Sequence, residues 1–188
     1  MPEVVPVVDD GLGNSGYLGD LGDGRALAVH QSRDLRGLRR QLAGHGLRVG
    51  FISDTHLHAD FLSAARQLAA VDGIQMLASA AGNREFPHTG LRDGDEVDLG
   101  GLRLRALATS GHTLEHLSFL LLVGDSPVGV FTGGSLLVGA AAFATWLGWL
   151  ADASVAIVVV RNPDQVAVLL GGPEDWAERT GGRLETGG

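Results

Sequence analysis

The chain has 188 residues, of which 45% are hydrophobic, carries a formal net charge of −8 and contains no cysteine. That length is enough for one domain with a sizeable core. The acidic balance argues against a nucleic-acid partner, because phosphate binding draws on clustered lysine and arginine. The lack of cysteine excludes disulfides and zinc–thiolate sites. The first residues show no basic region followed by a long apolar stretch, so no signal peptide is predicted and a cytoplasmic location is expected.

The predicted elements alternate between strands and helices, as in an α/β protein. Six apolar runs are typical of strands, several of them buried on both faces, namely residues 4–8, 26–29, 49–52, 102–107, 117–123 and 128–131. Residues 34–43 and 60–70 have helical spacing, and the arginines near the first segment are expected on its exposed face. The glycines of residues 18–24 predict a hairpin, with Asp23 and Gly24 in the turn.

One apolar stretch raises the alternative of a membrane helix. Residues 126–151 contain no charged side chain and are long enough to cross a bilayer. Five glycines interrupt the stretch, however, and its first part has the pattern of a buried strand followed by a glycine turn. The interpretation as core is therefore preferred, and a membrane partner is not expected.

Two histidines and an aspartate alternate in residues 55–60, directly after a predicted strand. In an extended segment alternate side chains point to the same side, so His56, His58 and Asp60 are suitably placed to share a metal ion. Imidazole and carboxylate are ligands that both zinc and non-haem iron accept. A further histidine, His112, lies in a small-residue turn after another predicted strand. It is a candidate third ligand.

These residues resemble the metallo-β-lactamase fold, and within it the branch of persulfide dioxygenases and glyoxalase II-like hydrolases that are often fused to rhodanese domains. Four motifs follow one another in the order of that family, within about residues 4–140, namely residues 12–18, 55–60, 111–118 and 131–139. The resemblance implies an αββα sandwich, with two sheets packed face to face and helices outside. Much of the second half of such a domain has no counterpart here, so an incomplete sandwich is expected.

The resemblance also implies roles for single residues. His56 and His112 match ligands of the first metal ion, and His58 matches a further ligand of the zinc hydrolases. Asp60 matches the carboxylate that serves the second ion in two-metal members, where it is followed by a histidine. In this chain the next residue is Phe61, so a single zinc or iron ion is expected.

Two positions depart from the family pattern near the predicted metal site. Gly134 and His30 each stand where the family usually carries an aspartate. Without a carboxylate at position 134, three histidines could form a zinc site whose bound water has a pKa near 7. An iron site of two histidines and one carboxylate would need Asp60 as the third ligand. Asp60 could instead only cap the second predicted helix. His116 is expected to pack behind the site.

The chain changes character after the fourth motif. Residues 143–150, 155–160 and 166–176 resemble pieces of a rhodanese domain, so the predicted organisation is a metallo-β-lactamase-like domain over residues 1–140 and a rhodanese-like remnant with α/β character over residues 141–188. Rhodanese sulfur transfer needs a cysteine nucleophile, which the chain lacks. Sulfurtransferase activity is therefore excluded.

The leading functional hypothesis is a metal-dependent hydrolase or persulfide dioxygenase acting on a glutathione-type thioester or persulfide. In this hypothesis His56, His58 and His112 hold the ion, and Asp60 orients or deprotonates a bound water. The alternative is a catalytically inactive remnant that serves as a binding or scaffold module. Because an incomplete sandwich would expose strand edges and apolar faces, a homodimer is also a plausible expectation.

Overall fold

The computed structural model describes residues 3–9, 11–12, 14–71 and 73–135, together with the backbone of residues 157–161 and 165–169. In this part of the chain the strands form two six-stranded sheets. The first sheet has the strand order β1 (Val4–Asp9), β2 (Asn14–Asp20), β3 (Arg25–Val29), β4 (Arg48–Ser53), β5 (Gln75–Ser79) and β6 (Thr89–Leu91). Strands β1 to β3 pair antiparallel and β3 to β6 pair parallel.

The second sheet follows the chain in the same simple way. Its order is β7 (Glu96–Asp98), β8 (Arg103–Ala108), β9 (Leu117–Val123), β10 (Ser126–Phe131), β11 (Ile157–Arg161) and β12 (Gln165–Leu169). Neighbours are antiparallel except β10 and β11, which are parallel. The described helices are α1 (Arg36–His45) and α2 (Ala65–Ala69), with short 3₁₀ turns at Ala80–Gly82 and Gly133–Ser135.

Side chains of the first sheet alternate between two hydrophobic cores. On β4, Phe51 belongs to the core shared with the second sheet, whereas Ile52 belongs to the core shared with the helices. On β5, Leu77 and Met76 divide in the same way. This period of two follows from the strand geometry. The first sheet is therefore covered on both faces, which explains why its strands are continuously apolar in sequence.

The core between the sheets is built mainly from large side chains. Its fully buried members include Phe119, Leu104 and Leu27, and each contributes about 2 kcal/mol by leaving water. On the other face of the first sheet, Leu38 of α1 and Leu68 of α2 pack against the strands. The described residues thus form a helix layer on two packed sheets, which confirms the predicted α/β sandwich.

The six predicted strands are all present, and the first predicted helix is α1. The second predicted helix is shorter than expected, because α2 begins at Ala65 and its N-cap is Ala64. The preceding backbone pairs with another loop, since Ala64 N–H donates to Gln31 O and Arg33 N–H donates to Leu62 O. The suggestion that Asp60 caps this helix is therefore wrong.

The predicted rhodanese-like segment lies largely outside the described residues. Only the backbone of β11 and β12 is described there, and it continues the second sheet beside β10. The start of the possible membrane span, residues 126–131, is strand β10. Among the described residues, no helix has the length and apolar character needed to span a bilayer.

Candidate metal centre

The site lies where strands of both sheets end. His30 follows β3, and the segment from Asp54 to His58 follows β4. Since β3 and β4 are parallel neighbours, with Val29 opposite Ser53, the residues that follow them emerge side by side. The second sheet joins at the same place, because Leu117 N–H donates to Thr55 O at 2.9 Å.

Five histidines meet at this junction, with His56 in the middle. Its ring centroid lies 4.3 Å from that of His58, 4.6 Å from His112, 5.1 Å from His116 and 5.3 Å from His30. His56, His30 and His116 are buried, whereas His112 is exposed. The cluster is therefore enclosed on the side of the core and open on the side of His112.

Three of these side chains satisfy the geometry of a shared ligand set. Among the described residues, one ring nitrogen each from His30, His56 and His58 lies within 4.8 Å of the other two, and His112 is not part of this group. His58 Nε2 and His116 Nε2 are in addition buried without a hydrogen-bond partner in the described part of the chain. Buried nitrogen atoms left without partners cost free energy, which a bound ion or a hydrogen-bond partner would recover. The residues present therefore fit a metal ion.

Hydrogen bonds through Thr55 determine which nitrogen of His56 is free. The Thr55 N–H donates to His30 Nε2 at 3.1 Å, so that nitrogen carries no proton. The Thr55 hydroxyl, 2.7 Å from the same nitrogen, must then donate to it as well. Its oxygen consequently accepts from His56 Nδ1–H at 2.8 Å. His56 is left with an unprotonated Nε2, which is the form that binds a metal.

The same assignment argues against His30 as a ligand, although its ring is close enough. With Nε2 accepting two hydrogen bonds, the proton of a neutral His30 resides on Nδ1, and neither nitrogen has a free lone pair. His30 also has a positive φ of 55°, which holds its ring over Thr55 in an unusual backbone conformation. We therefore assign His30 a positioning role.

Burial keeps the imidazoles neutral. It lowers the pKa of His56 to about 4 and the pKa values of His58 and His116 to about 3, and neighbouring histidines lower them further. Burial also takes the pKa of His30 well below its usual value. Neutral imidazole is the metal-binding form, so these four rings need no proton release to bind a cation at neutral pH. For the nearby Asp54, burial raises the pKa of the carboxyl to about 6.

His112 enters the cluster beside Gly134. A Cβ at position 134 would lie 2.7 Å from His112 Nε2 and closer still to Cδ2, so only glycine leaves room for the ring in this position. The ring thus occupies the space into which a larger side chain at 134 would extend. Sequence reasoning noted the missing aspartate at 134 but had no means of seeing this contact.

Asp60 lies at the edge of the cluster. Its Oδ1 is 3.8 Å from His58 Nδ1, and its side chain is 80% exposed. Phe61, in contrast, is buried and packs against the His58 ring, tilted by 35° at a centroid distance of 4.1 Å. Phe61 thus contributes to the burial of His58, whereas Asp60 remains accessible to solvent.

His116 packs behind the site, as expected, but it is more closely tied to the site than its sequence position indicates. Its Nδ1 lies 2.8 Å from Thr109 Oγ1 and 3.0 Å from Ser135 Oγ. Ser135 Oγ–H donates to Thr109 O, so it accepts from the His116 ring. Sequence reasoning missed these hydroxyl partners and Thr55, because the contacts join residues far apart in the chain.

A cavity of about 380 Å³ adjoins the cluster on the side of the second sheet. Its polar lining consists of Ser79, Arg92, Asp93, Ser110, Glu115 and His116. Glu115 is fixed in place because its Oε1 accepts from Leu57 N–H at 2.8 Å. The cavity therefore offers a small molecule one cationic group, two carboxylates and two serine hydroxyls beside His116.

No protein-family model matches the chain, but individual relatives do. A hydroxyacylglutathione hydrolase of Cupriavidus taiwanensis is 30% identical over 178 residues, which cover 90% of this chain and 62% of the relative. The hydroxyacylglutathione hydrolase of Acidiphilium cryptum is 36% identical over 83 residues, which cover 43% of this chain and 33% of that protein. The chain thus spans less than two thirds of the length of these relatives.

Solved structures give the same result at the level of the fold. A metallo-β-lactamase from Staphylococcus aureus superimposes with a TM-score of 0.77 at 22% identity, covering 96% of this chain and 61% of the other. ETHE1 from Myxococcus xanthus superimposes with a TM-score of 0.71 at 26% identity, covering 94% and 81%. The chain therefore has the metallo-β-lactamase fold, with hydroxyacylglutathione hydrolases among its sequence relatives and ETHE1 among its structural neighbours.

Proposed function

We propose that the chain is a metal-dependent enzyme that acts on a glutathione-type thioester, as a hydrolase, or on a persulfide, as a dioxygenase. The observation that carries the proposal is the cluster of neutral, buried imidazoles around His56, whose Nε2 is unprotonated because its Nδ1–H donates to Thr55. The hydroxyacylglutathione hydrolase relatives and the likeness to ETHE1 support the substrate class.

In this proposal His56, His58 and His112 hold one zinc or iron ion. His56 presents Nε2, because Thr55 occupies its Nδ1. His112 completes the set from the open side of the cluster, where Gly134 leaves space for its ring. A bound zinc ion would supply a water of lowered pKa, whereas iron would supply oxygen chemistry. The three histidines are the proposed protein ligands for either ion, without the carboxylate of the usual iron site.

Asp60 is the proposed acid–base group of the reaction. Its carboxylate lies beside His58 and is exposed toward solvent, where it can accept a proton from a water molecule that attacks the substrate. It is not part of the ligand set in this proposal, which agrees with its position at the rim. Replacing it should therefore reduce turnover more than it reduces metal content.

The cavity beside His116 is the proposed binding site for the substrate's polar groups. A glutathione moiety carries two carboxylates and one ammonium group; the lining offers Arg92 for one carboxylate and Asp93 or Glu115 for the ammonium group. Such single charge pairs orient a ligand rather than contributing large affinity. The inactive-remnant hypothesis has no comparable support, since the relatives named above are hydrolases.

The test is elemental analysis of the chain purified without added metal, followed by assays with a glutathione thioester and with glutathione persulfide. Wild type should hold about one equivalent of zinc or iron. The double variant His56→Ala/His112→Ala should hold none, while His88→Ala, whose ring contacts Phe86 O away from the cluster, should retain it. Absence of metal from wild type would refute the proposal, and metal without turnover would favour the inactive alternative.

A further inference from the structure

Asp54 is a buried carboxylate with no role in the reaction proposed above. Its residue is 4% exposed, and Oδ2 accepts a hydrogen bond from Ser63 Oγ at 2.7 Å. The other oxygen, Oδ1, is buried and has no hydrogen-bond partner among the described residues. A buried carboxylate oxygen in this condition is unfavourable unless a donor approaches it.

The nearest candidate donor is the ring of His58. His58 Nε2 is likewise buried and unpartnered within the described part of the chain, and it lies 3.9 Å from Asp54 Oδ1. These two atoms, one an acceptor and one a possible donor, therefore face each other at slightly more than hydrogen-bond distance. A small rotation of either side chain would satisfy both.

The opposite edge of the same ring points to the open side of the site. His58 Nδ1 lies 3.8 Å from Oδ1 of the exposed residue Asp60. If Nε2 carries the proton, Nδ1 has the free lone pair, and it faces the region where a metal or substrate would arrive.

We propose that Asp54 is a positioning residue, whose carboxylate accepts a hydrogen bond from His58 Nε2–H and leaves Nδ1 as the metal-binding nitrogen. The two neighbouring ligands then present opposite nitrogens. His56 binds through Nε2, because Thr55 takes its Nδ1, and His58 binds through Nδ1, because Asp54 takes its Nε2. Carboxylate partners of this kind fix the orientation of a metal-binding histidine and raise its basicity.

A direct ligand role for Asp54 fits the structure less well. Its Oδ1 faces His58 Nε2, the nitrogen opposite the one proposed to bind the ion. Asp54 is also tied to Ser63 on its inner side. The carboxylate therefore supports the ligand rather than replacing it.

The inference rests on the proposed function, because a positioning role presupposes a metal site. Its first test, however, uses the metal-free chain. We would record ring nitrogen and proton NMR spectra of the full chain labelled with ¹⁵N-histidine and freed of metal by a chelator. Wild type should show His58 protonated at Nε2, with a slowly exchanging proton shifted downfield. Asp54→Ala should lose that signal, and Asp60→Asn, which changes the other carboxylate beside the ring, should retain it.

Zinc titration against a competing chelator gives the second measurement. Asp54→Ala should weaken zinc binding by about 10- to 100-fold, as is typical when the partner of a ligand histidine is removed. Asp54→Asn keeps the size of the side chain and one neutral acceptor, so an intermediate loss is expected. This variant replaces Asp54→Ala if the latter does not fold.

The inference is overturned if wild-type His58 is protonated at Nδ1, or if removing the carboxylate changes neither the Nε2–H signal nor zinc affinity. The NMR result needs neither bound metal nor turnover. A chain that binds no metal but shows the predicted proton would refute the proposed function alone, and a metal-binding chain without that proton would refute this inference alone.

Discussion

The imidazole of His112 lies against Gly134 so closely that a Cβ at position 134 would overlap it. A carboxylate side chain at 134 and the His112 ring in this position therefore exclude each other. The position of the His112 ring therefore depends on the lack of a side chain at position 134. The proposed three-histidine ligand set depends on this arrangement.

Gly134→Ala should lower metal affinity although it removes no ligand. The added methyl group must displace the His112 ring, and the backbone at 134 does not have the positive φ that alone would disfavour alanine. We expect a loss of at least tenfold, measured by zinc competition, because a misplaced ligand binds weakly. Gly44→Ala in α1, where a Cβ would meet no atom within 4 Å, is the matched control. Equal affinity of both variants would contradict the role of His112.

His30→Asn should weaken both the fold and the metal site. Asparagine tolerates the positive φ of this position, so the change mainly removes the hydrogen bonds to Thr55. The free energy of unfolding should fall by about 1–3 kcal/mol, since Thr55 N–H loses a buried partner. Denaturant titration measures this change. His45→Asn, at the exposed end of α1, should cost less, and a wild-type stability for His30→Asn would refute the assignment.

The metal-free chain should lose stability in acid. Burial lowers the pKa of His56 to about 4 and of His58 to about 3, below the ordinary 6.5. At a pH between these lowered pKa values and 6.5, the two histidines bind more protons in the unfolded state than in the folded state. The free energy of unfolding therefore declines as the pH falls from 6.5 toward 3.

Protonation of Asp54 has the opposite effect on the free energy of unfolding in the same pH range. Its pKa is raised from 3.8 to about 6, so the folded state takes up its proton first and gains stability as the pH falls through this range. The pKa of His116 is lowered to about 3, so this residue adds to the loss of stability that the other histidines cause in acid. We therefore expect a net decline, measured by urea denaturation between about pH 7 and pH 4. Unchanged stability at about pH 4 would show that these rings are not buried as described.

Asp60→Asn should reduce kcat while leaving metal content near that of wild type. The side chain is exposed at the rim of the cluster and belongs to no shared donor group of the described residues. Loss of a general base typically lowers the rate by about 10²- to 10⁴-fold. Elemental analysis and kinetics on the same preparation separate the two effects. Loss of the metal in this variant would instead identify Asp60 as a ligand.

Arg92→Ala should raise KM for a glutathione thioester with little change in kcat. Arg92 lines the cavity and is not one of the proposed ligands, so we expect it to contribute to binding of the whole substrate rather than to the reacting atoms. Arg39→Ala, which removes an exposed arginine of α1, is the control for charge. An unchanged KM would place the substrate elsewhere.

Local sequence patterns were sufficient for six of the strands and for naming ligand candidates, whereas β2, β5, β6 and β7 were not among the predicted strands. Six apolar runs form β1, β3, β4, β8, β9 and β10. They are recognisable in the sequence because a buried strand is a short, nearly continuous run of apolar residues. The alternation of His56, His58 and Asp60 is equally local. The shortened α2 was not foreseeable, because it depends on hydrogen bonds from residues 62–64 to residues 31–33.

The arrangement around the histidines required the folded chain, because it joins segments that are distant in sequence. His30 and Thr55 meet only because β3 and β4 are parallel neighbours, and His112 reaches Gly134 only because β8, β9 and β10 are adjacent in the second sheet. Composition identified which side chains can bind a metal. Tertiary packing decided which nitrogen of His56 is free, since that depends on a partner 25 residues away from Thr55.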